Sequence, residues 1–266
     1  MKRSVQFVDD RRSAIIALLE QYGKLKIAEI AKHFSVSALT IRRDLQYLEQ
    51  MDIISRRYGE AILLNPLNTS FSSTQLQSKL AIAQKAASLV SDNDTIFLNT
   101  SSTALMLLSH LLAENVTVIT NNAKAVNTEV KPDVTVIMTG GQLHQTKKSL
   151  VGDFAVHNLK QVSAQIAFIG CSGISPEAGI STSVIQEGSV NLQMIEQASR
   201  VVVLADHSKI GHIGSYRYSD LSVINTLICD ESSNKNLIAR FRRMGIEVIV
   251  VPEHSLKAHQ RKEVYE

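Results

Sequence analysis

The chain has 266 residues, 44% of them apolar, with 28 Lys and Arg against 25 Asp and Glu, two cysteines and no tryptophan. That length buries a sizeable core without staples, and Cys171 and Cys229, 58 positions apart with no Cys-x-x-Cys or His/Cys cluster around them, signal neither a disulfide framework nor a metal site. The opening Met1-Lys2-Arg3 reaches Asp9 and Asp10 without the apolar stretch of a secretory signal, and no 18 apolar residues run together, so a cytoplasmic chain with no membrane contact is expected.

The charge is unevenly placed. Residues 1–64 hold 11 basic and 8 acidic side chains and the remainder 17 of each, so the whole excess of +3 lies in the first quarter. Three short helical patterns follow one another there: Ile15, Leu18, Leu19 and Tyr22; then Ile27, Ile30, Ala31 and Phe34; then Ile41, Leu45 and Leu48. Residues 53–64, with Gly59 between two apolar ends, suit a hairpin, and three helices plus a hairpin predict a winged helix over residues 7–64.

The third helix carries the informative face. Ser37 is placed to cap its first turn, with Val36 and Ile41 as a hydrophobic staple. Turning 100° per residue buries Ile41, Leu45 and Leu48 and sends Leu39, Arg43, Gln46 and Tyr47 outward, flanked by Thr40 and Arg42. Arginine forks onto guanine, and an apolar side chain meets a thymine methyl, so this face suits the major groove of DNA. Arg56 and Arg57 on the hairpin add charge for the phosphate backbone, with Lys24, Lys26 and Lys32 in support. Small trihelical domains also serve as protein-interaction modules, with Arg42 and Arg43 paired to Asp44 and Glu49; periodicity alone leaves the two readings even.

Residues 65–78 are polar, carry Pro66 and show no period, which predicts a linker. Downstream, seven apolar β-branched runs recur, at 95–98, 116–120, 134–138, 166–169, 201–205, 223–228 and 247–251. Helical patterns at 79–90, 102–114, 190–198 and 235–244 separate most of them, and runs apolar on both faces predict a largely parallel α/β sheet over residues 79–254.

The strand-end loops are polar. Asn99, Ser101, Ser102 and Thr103 open a helix; Thr120 and Asn121, then Gly140 and Gly141, then Gly170 and Ser172 end later strands; and Lys209 supplies a fixed charge. Each feature alone is an ordinary cap or turn, but their joint occurrence at strand ends favours an anion-receiving pocket. Catalytic chemistry is poorly served. Gly170-Cys171-Ser172-Gly173-Ile174 lacks the last glycine of a nucleophile elbow, no phosphate-loop or dinucleotide fingerprint is present, and Asp206 and Glu187 have no evident partner. No cofactor and no metal are expected.

Two sets of motifs carry a family resemblance. Ile27-Ala28-Glu29-Ile30-Ala31-Lys32-His33-Phe34 followed by Val36-Ser37-Ala38-Leu39-Thr40-Ile41-Arg42-Arg43-Asp44-Leu45 resembles the DNA-binding signature of the DeoR family of bacterial transcription regulators. The likeness continues through Lys79 to Ala83, Asp94 to Asn99, Thr120-Asn121-Asn122, Thr139-Gly140-Gly141, Gly152, Ala167 to Gly170 and Asp206 to Lys209, covering roughly residues 10–252. It departs at the wing, where Arg56-Arg57-Tyr58-Gly59-Glu60-Ala61 replaces the usual Arg-x-His-Gly-Gly-Ala; at Asp52, for a glycine; and at Asn99-Thr100-Ser101-Ser102-Thr103, for Asp-x-Gly-Thr-Thr.

The resemblance implies a sensing domain similar to ribose-5-phosphate isomerases. It implies a homo-oligomeric regulator, a dimer or tetramer and most often a repressor, that binds operator double-stranded DNA and is controlled by a small phosphorylated sugar. Its DNA contacts would be Ser37, Leu39, Thr40, Arg42, Arg43, Gln46, Arg56 and Arg57, and its effector contacts the strand-end residues named above. The rivals are an isomerase-like enzyme with a DNA-binding appendage and a sensor fused to a protein-interaction module.

Overall fold

The computed structural model describes residues 5–51, 53–63 and 73–252, which form two compact units dividing between Gln77 and Ser78. Asp52, residues 65–72 of the expected linker and residues from 253 onward lie outside the described residues.

The first unit runs α1 (Val5–Tyr22), β1 (Lys24–Lys26), α2 (Ile27–His33), α3 (Ala38–Gln50), β2 (Ile54–Arg57) and β3 (Glu60–Leu63). Its core follows the helical periods: Ile15, Ile16, Leu19, Ile30, Ile41, Leu45 and Leu48 are fully buried. Ile16, not Tyr22, completes the α1 stripe; Tyr22 sits at the helix end, before left-handed Gly23, and is exposed. β1 was not visible in the sequence, being three residues with two exposed lysines, yet it pairs antiparallel with β3 and makes the hairpin a three-stranded sheet.

A buried ion pair ties α1 to α3. Arg11 donates through Nε to Asp44 Oδ2 at 2.6 Å and through Nη2 to Oδ1 at 3.1 Å, with both side chains nearly inaccessible. Arg12 reaches the same carboxylate at 3.4 Å and lays its guanidinium 3.6 Å from the centre of the Tyr47 ring. Tyr47 is therefore buried under a cation, a correction to its expected place on the outward face. Asp44 is a structural residue, and deleting its side chain strands a buried arginine at a cost of about 3–5 kcal/mol.

Helix α4 (Ser73–Ala87) begins inside the expected linker and runs past the division at Ser78 into the second unit. Leu76, Leu80 and Ala83 are buried at helical spacing, and the period is masked in sequence by Thr74, Gln75 and Gln77 among them. There follow β4 (Thr95–Leu98), α5 (Ser102–Leu107), β5 (Thr117–Thr120), β6 (Thr135–Met138), β7 (Gln142–His144), β8 (Ser149–Val151), α6 (Asp153–Leu159) and β9 (Ala164–Gly170). The chain continues through β10 (Gly173–Ser175), β11 (Gly179–Thr182), α7 (Ile185–Glu196), β12 (Ala198–Leu204), β13 (Tyr216–Ser219), β14 (Thr226–Asp230), α8 (Lys235–Arg243) and β15 (Glu247–Val251).

The seven strands read from the sequence form one sheet in the order β15-β14-β12-β9-β4-β5-β6, with every neighbouring pair parallel. Phe97, Ala167, Ile169, Val201, Val203 and Leu227 pack on one face with α6, α7 and α8; Ile96, Leu98, Phe168, Val202 and Leu204, the alternate residues, are buried on the other. Two expected elements shrink. The helix from Ser102 is α-helical only to Leu107, with a 3-10 turn to His110, and residues 221–223 form a 3-10 turn before β14.

From β4 the chain winds outward through β5 and β6; from β9 it winds the other way through β12, β14 and β15. Adjacent β4 and β9 are thus the switch point of the sheet, where the loops leaving their carboxyl ends diverge and open a crevice.

Candidate DNA interface and effector site

Ser37 caps α3 by accepting the Thr40 N–H at 3.1 Å, and its hydroxyl lies 2.9 Å from Thr40 Oγ1. Thr40 is half-buried, while Leu39, Arg42, Arg43 and Gln46 are exposed, Leu39 at 58%. An exposed leucine between arginines on a rigid, capped helix gains nothing from packing within the chain, which is the expected surface for a groove.

The wing turns at Tyr58 and Gly59, with φ of 51° and 81°, the two left-handed residues of a type I′ turn. Gly59 is suited to this; Tyr58 is not, yet it projects fully into solvent. Sequence reasoning passed over Tyr58, although a bulky residue beside a turn glycine was its signal. Arg57 is exposed. Arg56 is instead half-buried, its guanidinium holding Glu49 Oε2 at 2.8 and 2.6 Å while its N–H reaches Oε1 at 3.0 Å, so it fastens the wing to α3.

In the sensing unit every expected effector residue lies at the carboxyl edge of the parallel sheet, because β4, β5, β6, β9 and β12 all end there. They divide into residues that build the floor and residues that line it. Asn99, 3% exposed, donates from Nδ2 to Gly170 O at 2.8 Å and to Asn191 Oδ1 at 3.2 Å; its Oδ1 accepts from Gly170 N at 3.0 Å and Ser101 N at 3.3 Å. Every polar atom of that carboxamide is engaged within the fold. Thr120 is likewise spent, donating to Leu98 O at 2.6 Å and accepting from Asn122 N at 3.1 Å. Gly170 is required where it stands, since a Cβ would collide with the Ser101 side chain.

The lining is more open. Ser101 caps α5 through Ala104 N, Ser102 is half-buried, and Thr103 is buried. Asn121 is fully buried; its Nδ2 donates to Leu150 O, while its Oδ1 has no partner among the described residues, as is true of the nearby Thr100 hydroxyl. Gly140 and Gly141 turn with φ of 70° and 104°. Ser172 accepts from Ser183 N at 3.0 Å. Burial pushes the Cys171 thiol up to about 12, so it is an inert neighbour of Gly170.

Charge enters through a residue the sequence reading did not single out. Lys79 on α4 is 5% exposed; its Nζ lies 3.5 Å from Ser102 Oγ and 3.9 Å from Asp206 Oδ2 at the end of β12. Burial lowers the Lys79 ammonium to about 8, opposed by Asp206 and reinforced by Lys209. Burial alone raises Asp206, but Lys79, the Ser208 hydroxyl and N–H, and Lys209 hold its carboxyl below the usual range. Asp206 is thus partnered by a lysine and not by a second acid. A lysine on the apolar stripe of Leu76, Leu80 and Ala83 was the signal for it.

A capped, arginine-bearing helix with a wing, followed by a doubly wound sheet whose polar crevice holds two lysines, is the build of a winged-helix transcription regulator with a ligand-sensing domain. Comparison with known proteins narrows that class. Residues 11–66 match the DeoR-like helix-turn-helix domain, and residues 74–231 match the DeoR C terminal sensor domain. The chain is 34% identical over 253 residues to the HTH-type transcriptional repressor GlcR of Bacillus subtilis (strain 168), covering 93% of this chain and 98% of that one. It is 31% identical over 229 residues to the glycerol-3-phosphate regulon repressor of Escherichia coli (strain K12), covering 83% and 90%. The chain belongs to the DeoR family of DNA-binding transcription regulators. Among solved structures, the full-length sorbitol operon regulator SorC of Klebsiella pneumoniae aligns over 88% of this chain and 99% of that one at 12% identity and a TM-score of 0.40. Ribose 5-phosphate isomerase A of Methanocaldococcus jannaschii aligns over 50% and 53% at 22% identity and a TM-score of 0.36.

Proposed function

We propose that the chain is a cytoplasmic repressor of a carbohydrate-utilisation operon, that it binds operator DNA as a homo-oligomer, and that a phosphorylated sugar in its sensing domain controls that binding. Leu39, Arg42, Arg43 and Gln46 take the base edges; Arg57, Tyr58 and the α3 cap meet the backbone and adjacent groove. One recognition helix reads only a few base pairs, so paired half-sites require paired subunits.

The observation that carries the effector reading is the cation pair at the crevice. Lys79 Nζ lies 3.9 Å from Asp206 Oδ2 and 3.5 Å from Ser102 Oγ, and Lys209 acts electrostatically on both, so two cations gather with hydroxyl donors at the edge of the sheet. That is a receptor for a phosphate group. The name of one relative, a glycerol-3-phosphate regulon repressor, agrees with a phosphorylated polyol signal. A coupling of about 1–3 kcal/mol between the two sites changes operator affinity roughly 5- to 150-fold.

The test is a titration of the full chain with ribose 5-phosphate, glucose 6-phosphate, fructose 6-phosphate and glycerol 3-phosphate, comparing the chain with its Lys209→Ala variant. Saturable binding that weakens in the variant supports the site; equal binding removes Lys209 from it.

A further inference from the structure

A polar wall formed by α7 and β13 adjoins the Asn99–Gly170 floor, and the assignment above leaves it unused. Glu187 stands in the first turn of α7 and is only 9% exposed. Its Oε2 accepts the Thr182 hydroxyl at 3.2 Å, while its Oε1 is buried with no hydrogen-bond partner among the described residues. One turn along the same helix face, Asn191 accepts Asn99 Nδ2 at 3.2 Å, so the wall runs down onto the Asn99–Gly170 floor. Tyr218 on β13 packs its Cβ against Gly188, and its phenol lies beside Asn191 and Cys171 with Glu187 close by. Burial and the nearby Glu187 charge push that phenol well above its usual range, so it stays a neutral hydroxyl able to donate and accept.

A buried carboxylate oxygen without a donor is destabilising and is retained where a donor arrives from elsewhere. Glu187 sits in the first turn of α7 and presents that oxygen as a hydrogen-bond acceptor. Asn191 gives its Oδ1 to Asn99 and lies against the Tyr218 phenol, no hydrogen bond reaches Glu187 Oε1 from it among the described residues, and Cys171 is a poor donor. The missing partner is a hydroxyl group, and adjacent hydroxyls suit the pair best, one donating to Glu187 and the next exchanging a hydrogen bond with Tyr218.

We propose that Glu187 and Tyr218 form the hydroxyl-recognising end of the effector site, taking the hydroxyl groups of a sugar or polyol whose phosphate lies at Lys79 and Lys209. This rests on the phosphorylated-sugar reading and adds the residues that distinguish one such sugar from another. The phosphate end is common to every candidate, so discrimination falls to the α7 and β13 wall. Leaving a buried acceptor unpaired is an effective way to reject a ligand that lacks the matching hydroxyl.

Isothermal titration of the full chain, of Glu187→Gln and of Tyr218→Phe with the four phosphorylated compounds named above, and with inorganic phosphate, tests the assignment. Glu187→Gln is expected to weaken the preferred sugar phosphate about tenfold or more and Tyr218→Phe severalfold, because each removes a hydrogen bond made to ligand. Inorganic phosphate, which reaches only the lysine end, should change far less. Undiminished sugar-phosphate binding by both variants overturns the subsite while leaving the phosphorylated-sugar reading in place. Loss of sugar phosphate and inorganic phosphate in equal proportion also overturns it, since Glu187 would then serve the fold alone. If the unaltered chain binds none of the sugar phosphates, that reading fails and the subsite falls with it.

Discussion

The carboxamide of Asn99 pairs with both sides of the Gly170 peptide, accepting its N–H at 3.0 Å and donating to its carbonyl at 2.8 Å. This double bond across 71 positions joins the two strands at which the winding of the sheet reverses. Only an amide satisfies both groups. Asn99→Asp turns a carboxylate oxygen toward the Gly170 carbonyl, so a loss of about 1–3 kcal/mol is expected at pH 7. That carboxyl will have a raised folded-state pKa, hence the loss should shrink as pH falls through it and the acid regains a proton to donate. Thermal unfolding at pH 7 and pH 5 checks this; a pH-independent loss contradicts it.

The arginines of the first unit should separate by role. Arg43→Ala is expected to cost about 1–3 kcal/mol of operator affinity and to relax preference at one base position, and Arg57→Ala to reduce the salt slope by about one. Arg56→Ala should lower the unfolding temperature as well, because Arg56 anchors the wing to Glu49. Binding isotherms at three salt concentrations, together with melting curves, distinguish the three.

Tyr58 occupies a left-handed turn position that asparagine adopts more readily. Tyr58→Asn should therefore hold or raise the unfolding temperature while weakening operator binding by about 1 kcal/mol, or roughly fivefold. A turn residue that serves only the fold gives the first result without the second.

Effector affinity should depend on pH through Lys79. Its folded-state value of about 8 lies below the usual lysine range, and a bound anion favours the charged form. Affinity is then near its full value below pH 8 and falls above it, by up to about tenfold per unit. Asp206, the carboxylate facing Lys79, is held below its usual range and stays charged between pH 7 and 9. Lys79→Gln should bind more weakly and flatten the profile; an unchanged slope in that variant assigns the titration elsewhere.

The buried parallel sheet was legible because each of its strands is a run of apolar β-branched residues, and Ile41, Leu45 and Leu48 declared their helix by spacing alone. The accessory strands β7, β8, β10, β11 and β13 were not. They are three or four residues long with few apolar residues to mark a period; β7–β8 and β10–β11 are short antiparallel hairpins, and β13 joins β11 from a distant part of the chain. The site was half visible for a similar reason. Loop composition pointed to the carboxyl edge of the sheet, but composition does not tell a half-buried serine such as Ser102 from an asparagine such as Asn99 whose hydrogen bonds are all internal. Lys79 and Glu187 lie on helices, where a loop-centred reading does not look.

The central claim is that one molecule reads DNA and a phosphorylated sugar in linked fashion. Fluorescence anisotropy of a duplex from the region upstream of its own gene, titrated with the full chain in the presence and absence of the phosphorylated sugars, tests it most directly. The account predicts tight binding that resists unrelated duplex and that one sugar phosphate shifts roughly 5- to 150-fold. Competitor-resistant binding that none of the sugar phosphates alters would contradict it.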